Sequence, residues 1–432
     1  MTDDHLQILC TGDLHLGRHP TRIPAELDGE ACSPKSVWRS IVDTAKQQAV
    51  DAVLISGDIV DRENRYFEAF GPFEDGICQL GEADIPAVLV TGNHDFDSLP
   101  SLVDSLETEN VRLLGHGGTW ERETITADAG SFHVDGWSFP QEHVHTPPFD
   151  TYEMEAASEP VLGLLHGDFG VTESEYAPIS QQHVDTAGAD AWVLGHIHTP
   201  GVRVENDPLV FYPGSPQPLH PGEAGGHGPW MLEIRDGGRL DCKPLYHATI
   251  RYDELSFDVS ELADTKALPG LFRERVEAHL SDVDTAALDT LLVRASLTGQ
   301  TEIHREFIQQ REAIREQLQC KVDTVAVRIK QLNIETKQAV DLAELASDET
   351  PVAYLARLLR SFEGEERPDS YGRLLDKATD AVQEAYLANT YTPLRKDGRI
   401  TSPDSEEAEV YIEQQARLLL DELLEQQEGE QA

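Results

Sequence analysis

Five short segments of the chain place side chains that bind metal ions or transfer protons directly after apolar runs. In chain order they are Asp13-Leu14-His15, Gly57-Asp58-Ile59-Val60-Asp61, Gly92-Asn93-His94-Asp95, His166-Gly167-Asp168 and Gly195-His196-Ile197-His198. Their carboxylates, amide and imidazoles form a mixed oxygen and nitrogen donor set without thiolate. The residue types therefore predict a site for divalent cations, with Mn²⁺, Fe²⁺ or Zn²⁺ as suitable metals.

The apolar runs before these segments have the composition of buried strands. They cover residues 6–11, 51–56, 87–91, 161–165 and 191–194. Because open α/β folds place their sites at the carboxyl ends of the strands, the five segments are expected to converge at one edge of a sheet. A single segment could be an ordinary turn, since Gly and Asn favour turns. Five in order, each after a strand, favour a site for two metal ions.

The charge balance of such a site indicates its substrate. Two divalent cations bring four positive charges, and the carboxylates of Asp13 and Asp58 return two negative ones. The remaining positive charge attracts a phosphate ester, and paired metals about 3.5–4 Å apart activate water for in-line displacement. His94, which follows Asn93, is placed to protonate the leaving oxygen, and Asp95 to orient that imidazole.

Length and composition give the class of protein. The chain has 432 residues, and no run approaches the roughly 20 apolar residues that span a bilayer. Its start lacks the basic and apolar regions of a signal peptide. The five scattered cysteines contain no C-x-x-C pair, which fits a reducing compartment. We expect a cytoplasmic protein that is not inserted in a membrane.

The net charge of −45 is spread over the whole chain. A disordered acidic protein would lack the apolar strands seen here. The composition is typical of folded halophilic proteins, whose acidic surfaces repel little near 1 M salt, where the screening length is about 3 Å. No basic stripe indicates nucleic-acid binding.

Three regions of the chain differ in their hydrophobic pattern and charge. Residues 1–250 alternate strand-like and helical runs, residues 251–335 read as a compact α+β module, and residues 336–432 read as charged helices. The last region contains an apolar helical face, which either packs onto the preceding domain or binds a partner's helices. That face consists of Val410, Ile412, Ala416, Leu419, Leu420 and Leu423.

The five segments resemble the calcineurin-like metallophosphoesterase superfamily, whose pattern is D-x-H, G-D, G-N-H-[DE], H and G-H-x-H. The resemblance implies a four-layer α/β/β/α sandwich with two metal ions, Mn²⁺ first, at one edge. It implies one metal held by Asp13, His15, Asp58 and His198. It implies a second metal held by Asp58 as a bridge with Asn93, His166 and His196, and His94 as the general acid.

Within this superfamily the chain is similar to SbcD-type DNA-repair exonucleases. The opening at residues 13–17, the segment Tyr212-Pro213-Gly214-Ser215 and the added α+β module carry this similarity, and residues 291–299 resemble part of that group's capping domain. The similarity implies DNA as substrate and an SMC-like coiled-coil ATPase of the SbcC type as partner, docked through the helical C-terminal region. A homodimer is a further option.

One position departs from the pattern. Double-strand-break nucleases usually carry a His three residues after the bridging Asp, where it helps to position the substrate phosphate. This chain has Asp61, which would repel a phosphate unless it pairs with a base such as Arg62 or Arg65. Asp61 and Arg62 are therefore candidate substrate-positioning residues, and the direction of cleavage does not follow from the resemblance.

Two other functions use the same metal core. A phosphatase or phosphodiesterase for small phosphoesters is one, although such an enzyme rarely needs about 180 further residues. A non-catalytic scaffold subunit is the other, although it would not need His94. The leading hypothesis is a two-metal nuclease acting on DNA.

Overall fold

The computed structural model of the chain describes residues 5–21, 29–61, 66–106, 108–205, 208–339, 341–347, 349–362, 369–387 and 405–431. The chain divides into two compact units. The first comprises Met1–Phe257, Leu268–Ser296 and Glu312–Asn333, and the second comprises Asp258–Ala267, Leu297–Arg311 and Ile334–Ala432. The domain boundaries predicted after residues 250 and 335 stay a proposal.

The first sheet of the first unit contains the strands that precede three of the five segments. In spatial order its strands are β12 (Arg239–Pro244), β11 (Trp230–Arg235), β1 (Leu6–Thr11), β2 (Ala52–Ile55), β3 (Ala87–Leu89) and β4 (Val111–Leu113). Strands β1 to β4 are parallel, and β11 and β12 extend the sheet in antiparallel fashion. Parallel strands are covered on both faces, which explains their short, continuous apolar runs.

The second sheet contains the strands that precede the other two segments. In spatial order it consists of β5 (Trp120–Ala127), β6 (Gly130–Trp137), β7 (Val161–His166), β8 (Ala191–Gly195), β10 (Leu209–Tyr212) and β9 (Gly201–Val204). Its four central strands are parallel and both edge strands are antiparallel. All five predicted strands are confirmed, with ends that shift by two residues at most.

Three apolar clusters separate four layers. Trp38 of α1 (Pro34–Gln48) and Phe73 of α2 (Tyr66–Glu82) pack on the outer face of the first sheet. Residues such as Leu54 and Leu162 fill the space between the two sheets. Trp192 and Val184, the latter from α4 (Gln181–Ala187), form the outer layer of the second sheet. The predicted α/β/β/α sandwich is therefore confirmed. A further short helix, α3, covers Leu99–Asp104.

The region predicted as an α+β module contains helices and a four-stranded sheet. Its spatial order is β13 (Ile250–Asp258), β14 (Thr290–Thr298), β17 (Val325–Ile334) and β16 (Cys320–Val322), and a two-stranded sheet pairs β15 (Gln300–Thr301) with β18 (Lys337–Gln338). The helices are α5 (Leu268–Ser281), α6 (His304–Gln309) and α7 (Arg311–Gln317).

The C-terminal region is helical, as predicted. It contains α8 (Leu342–Leu345), α9 (Pro351–Phe362), α10 (Asp369–Leu387) and α11 (Ser405–Gln431). The predicted apolar face of α11 divides in two: Ile412, Ala416 and Leu420 join an apolar cluster with residues of α9 and α10, whereas Val410 and Leu419 are half exposed. None of the helices that the structure describes is long and apolar enough to cross a bilayer.

A buried ion pair between β5 and β6 generates a stability prediction. The fully buried Asp135 accepts hydrogen bonds from Arg122 Nε at 2.5 Å, Arg122 Nη2 at 2.7 Å and the Tyr152 hydroxyl at 2.7 Å. Arg122→Ala leaves this carboxylate buried without its cation, so we expect the free energy of unfolding to fall by about 3–5 kcal/mol. Urea unfolding at a constant KCl concentration measures this change in the free energy of unfolding.

The matched control is Arg273→Ala. Arg273 pairs with Glu277 where both side chains are half exposed, so its loss should cost less than about 1 kcal/mol. Equal losses for the two variants would show that the buried pair adds nothing beyond a surface pair.

Candidate metal centre

The five segments meet where the parallel strands of the two sheets end. Asp13, Asp58 and Asn93 follow β1, β2 and β3, while His166 ends β7 and His196 follows β8. Asp13, Asp58 and His166 are buried, and their ligand atoms lie within 4.8 Å of one another. The convergence predicted from the strand ends is therefore present in the structure.

The backbone at these positions is strained. Asp13, His15, Asp58 and His196 have φ values of 48°, 45°, 50° and 100°, and they are four of the eight described non-glycine residues with positive φ. Side chains disfavour this left-handed region, and residues held there cluster at functional sites. Gly92 completes the turn, because a Cβ at that position would lie 2.1 Å from Asp58 Oδ1.

A first group of ligand atoms consists of Asp13, His15 and His198. The Nε2 atoms of His15 and His198 lie 3.0 Å apart and face each other. One Asp58 oxygen, Oδ2, lies 3.9 Å from His15 Nε2. Two imidazole nitrogens and carboxylate oxygens thus surround one point.

A second group consists of Asp13, Asp58 and His166. His166 Nε2 lies 3.0 Å from Asn93 Oδ1 and 3.4 Å from Asp58 Oδ2. Asp58 Oδ2 therefore lies between His166 Nε2 of the second group and His15 Nε2 of the first. The other Asp58 oxygen, Oδ1, accepts a hydrogen bond from the His94 backbone N–H at 2.9 Å. Asp58 occupies a position from which one carboxylate reaches both groups.

The outer nitrogens of three histidines face acceptors. His166 Nδ1 lies 3.0 Å from the Ser56 carbonyl oxygen, His198 Nδ1 lies 2.7 Å from Glu223 Oε1, and His15 Nδ1 lies 3.6 Å from Asp61 Oδ2. A carbonyl or carboxylate oxygen only accepts, so the hydrogen bonds of His166 and His198 place the proton on Nδ1. Asp61 lies just beyond hydrogen-bond distance of His15 Nδ1, and its negative charge favours the same tautomer of His15. In a neutral ring the lone pair is then on Nε2, toward the centre.

This orientation tests whether the residues fit two cations. Lone pairs on three Nε2 atoms point toward the carboxylates of Asp13 and Asp58 and the amide oxygen of Asn93. Without a cation such a set of acceptors has to share protons, whereas a cation satisfies all of the acceptors. The donor set therefore fits divalent metal ions.

Burial and charge set the protonation of the site. Burial lowers the pKa of His15 and of His166, which keeps both rings neutral, as metal ligands must be. Burial raises the pKa of Asp13, and Asp58 adds to this effect. Burial also disfavours ionised Asp58, but the neighbouring His166, His15 and His94 outweigh it and lower its pKa.

His198 behaves differently from the other two rings. Burial acts to lower its pKa, yet the hydrogen bond to Glu223 and the charges of Asp13, Glu223 and Asp58 raise it to about 9. Without a cation the Asp13 and Asp58 charges favour a protonated ring, and a bound metal would replace that proton.

His196 is close to the centre, but its outer acceptor faces Nε2 rather than Nδ1. Its Nε2 lies 3.4 Å from Asp168 Oδ1, and its ring lies against Tyr176 with centroids 4.6 Å apart. Its backbone N–H donates to Asp13 Oδ1 at 3.0 Å. Nδ1 is the ring nitrogen that remains for a metal, and the ligand role of His196 stays a prediction.

The two predicted catalytic residues have different surroundings. The His94 ring lies edge-on to His15, with centroids 5.3 Å apart, and accepts and donates no hydrogen bond within the described residues. The buried Asp95 accepts from Gly92 N at 2.7 Å and from Ile59 N at 2.7 Å. Asp95 Oδ2 thus joins the third segment to the second, whereas Oδ1 stabilises the turn within the third segment. The predicted orientation of His94 by Asp95 stays a hypothesis.

Of the predicted substrate-positioning residues, the structure describes Asp61 but not Arg62. Arg62 and Arg65 lie outside the described residues. Asp61 is buried, contacts His15 Nδ1 and forms an ion pair with Arg18, whose side chain is about one third exposed. Arg18 thus neutralises the carboxylate that was expected to repel a phosphate.

Glu223 contacts a predicted metal ligand, and the sequence did not reveal it. It is buried and, besides holding His198, accepts from Leu219 N at 2.6 Å and from Ser215 Oγ at 3.2 Å. It follows no strand and has no regular spacing from the five segments. Tyr212 similarly supports the fourth segment, because its hydroxyl donates to Gly167 O and accepts from Phe169 N.

Comparison with known proteins agrees with this geometry. Residues 6–200 match the family model described as calcineurin-like phosphoesterase, and residues 252–337 match the middle domain of metallophosphoesterase YhaO. The chain is 26% identical over 233 residues to the uncharacterized metallophosphoesterase YhaO of Bacillus subtilis, covering 53% of this chain and 56% of that protein.

Two other relatives are known by their roles. The DNA double-strand break repair protein Mre11 of Aeropyrum pernix is 27% identical over 231 residues, which cover 49% of this chain and 54% of that protein. A component of the nuclease SbcCD of Bacillus subtilis is 24% identical over 374 residues, which cover 77% of this chain and 91% of that protein. The matches to YhaO and Mre11 thus span about half the length of each relative. Residues 6–200 contain every predicted metal ligand, and this part of the chain is therefore a calcineurin-like metallophosphoesterase domain.

Proposed function

We propose that the chain is a two-metal phosphodiesterase that cleaves DNA in repair, together with an SMC-like coiled-coil ATPase. The observation that carries the enzymatic part is the convergence of three imidazole Nε2 atoms on the carboxylates of Asp13 and Asp58. The relatives named as a nuclease component and a DNA repair protein support the choice of substrate. The α+β module beside the metallophosphoesterase domain supports a polymer rather than a small ester.

The ligands divide between two metal positions. Asp13, His15, Asp58 and His198 would hold one ion, and Asp58, Asn93, His166 and His196 the other; Mn²⁺ is the metal we propose. When bound, such a pair of ions activates water and neutralises charge on the phosphate oxygens.

His94 supplies the proton that cleavage requires. Hydrolysis forms one P–O bond from water and breaks the P–O bond to the leaving oxygen, which must gain a proton. His94 lies beside His15, outside both ligand groups, and its ring has no hydrogen-bond partner in the described structure. It can therefore donate to the leaving oxygen without disturbing a metal ligand.

Asp61 acts on His15 rather than on substrate in this proposal. Its carboxylate is buried, faces His15 Nδ1 and is paired with Arg18. Such an outer carboxylate fixes the ring orientation and strengthens the ligand. The sequence suggested that Asp61 contacts the substrate phosphate. In this proposal the partly exposed Arg18 makes that contact instead.

The C-terminal helices are the proposed docking region for the ATPase. Tyr354, Leu387, Tyr411 and Leu418 are about half exposed or more, although the same helices already share an apolar cluster. Exposed apolar side chains on helices suit the helices of a partner. The relative that is a component of SbcCD supports a partner of this kind.

The acidic surface determines the salt concentration that each assay requires. A net charge of −45 repels DNA at low salt, whereas molar KCl reduces the screening length to about 3 Å. We propose that the protein works in a cytoplasm of high salt, so the assays below use molar KCl.

Removal of the proposed acid tests the enzymatic mechanism. In molar KCl with Mn²⁺, wild-type protein should degrade linear DNA, and His94→Ala should lower kcat about 10²–10⁴-fold because the leaving oxygen loses its proton donor. Bound manganese, measured by elemental analysis, should be unchanged. Unaltered DNA cleavage by His94→Ala would exclude His94 as the acid.

The control for this variant is His145→Ala, which removes an exposed histidine distant in sequence from all five segments. Wild-type hydrolysis of small phosphodiesters without cleavage of any DNA would instead favour the small-ester phosphodiesterase.

The role of Asp61 is tested by metal affinity. Asp61→Ala removes the acceptor facing His15 Nδ1, so titration calorimetry should show Mn²⁺ affinity falling about 10–100-fold, and Asp61→Asn, which keeps an acceptor oxygen, should fall less. Asp128→Ala, at an exposed position, is the control. Wild-type Mn²⁺ affinity with a raised KM for DNA would restore the substrate-positioning role of Asp61.

Docking is tested on the exposed side chains. Tyr411→Asp with Leu418→Asp should abolish co-purification of the coiled-coil ATPase in high salt, because charges replace apolar contact area. Val171→Asp changes a similarly exposed apolar residue of the first unit and should have no effect. Equal recovery of the ATPase by both variants would reject these helices as the docking region.

A further inference from the structure

A cavity of about 210 Å³ lies in the first unit, separate from the metal ligands. Its lining consists of Pro221, Ala224, Tyr252, Asp253, Glu254, Leu292, Arg294, Lys330 and Gln331. Most of these residues lie on the neighbouring strands β13, β14 and β17, and the other two lie in the segment around Glu223. The cavity therefore joins the sheet of the α+β module to a segment that supports the metal centre.

The connection to the metal centre runs through Glu223. Pro221 and Ala224 line the cavity, and Glu223 between them accepts the hydrogen bond from His198 Nδ1 at 2.7 Å. Tyr252 lies near the same carboxylate: burial, together with the charge of Glu223, raises the pKa of Tyr252 to about 12. A group in the cavity would thus be close, along the chain, to the residue that orients a metal ligand.

The charges in the cavity favour an anion. Arg294 and Lys330 place two cations on adjacent strands, in a chain whose net charge is −45. Asp253 is already engaged, because it accepts from Arg251 Nε at 2.6 Å and from His279 Nε2 at 2.6 Å. Glu254 pairs with Arg294 but is 64% exposed, so a bound anion can displace it at little cost.

The size of the cavity indicates how the ligand is built. The volume is below the roughly 300–1,000 Å³ of pockets that enclose a whole small molecule. A cavity of this size suits one unit of a longer chain.

We propose that this cavity binds a sugar-phosphate unit of the substrate strand that flanks the scissile linkage, with Arg294 and Lys330 contacting the phosphate. The proposal rests on the proposed function and deepens it, because it names the feature that distinguishes a polymer from a small ester. A substrate without a flanking unit would reach the metal centre but leave the cavity empty. The cavity would therefore contribute to KM for oligonucleotides and not to kcat.

The test compares a long and a short substrate on the same variants. With Mn²⁺ in molar KCl, kcat and KM are measured for a 20-nucleotide single-stranded DNA and for bis(p-nitrophenyl) phosphate. Arg294→Ala and Lys330→Ala should each raise KM for the oligonucleotide about five- to tenfold, because each loses a charge-assisted contact to phosphate. The double variant should raise it further, and kcat and both constants for the small ester should remain at wild-type values.

Two variants separate a specific contact from a general charge effect. Arg315→Ala removes an arginine of the α+β module with similar exposure, 43% against 40%, and likewise paired with one glutamate. It should leave KM unchanged. Glu254→Gln releases Arg294 from its ion pair and should lower KM for the oligonucleotide.

The outcomes distinguish this inference from the proposed function. A wild-type KM for the oligonucleotide in the Arg294→Ala, Lys330→Ala double variant would overturn the inference and leave the nuclease assignment standing. An equal rise in KM with Arg315→Ala, or with the small ester, would also overturn it. Hydrolysis of the small ester by wild-type protein that cleaves no oligonucleotide would refute the proposed function, and the inference with it.

Discussion

The metal centre depends on the orientation of three imidazole rings. An acceptor outside each ring, from Ser56, Glu223 or Asp61, faces Nδ1 and leaves Nε2 directed at the carboxylates of Asp13 and Asp58. Loss of one acceptor would allow the ring to change tautomer or rotate, and the set of lone pairs that suits a cation would be broken. The structure therefore uses buried polar groups for orientation, which is costly in a protein interior unless every group is paired.

The fold provides this orientation through strand ends and strained turns. Two parallel sheets, packed face to face, end at one edge, and the chain turns sharply there through left-handed conformations at ligand positions such as Asp13 and Asp58. The buried strands hold these turns in place, and contacts such as that of Asp95 to the backbone of Ile59 join neighbouring turns. The stability of the sandwich thus maintains conformations that an isolated loop would not adopt.

Much of this could be predicted from the sequence, because a parallel strand covered on both faces is a short apolar run and a ligand at its end has a fixed direction. The strands before Asp13 and His166 lie where their composition indicates. Glu223 could not be found, since it reaches His198 from an irregular segment 25 residues away. The role of Asp61 could not be found either, because its partner Arg18 comes from a different segment. The apolar face of α11 was visible, but only packing shows that Leu420 is buried and Leu419 exposed.

Anomalous diffraction at the manganese edge, from crystals of this chain grown with Mn²⁺, tests the centre most directly. We predict two peaks, one among Asp13, His15, Asp58 and His198 and the other among Asp58, Asn93, His166 and His196. A single peak, or none, with these side chains in their present positions would show that the residues do not hold a pair of metal ions.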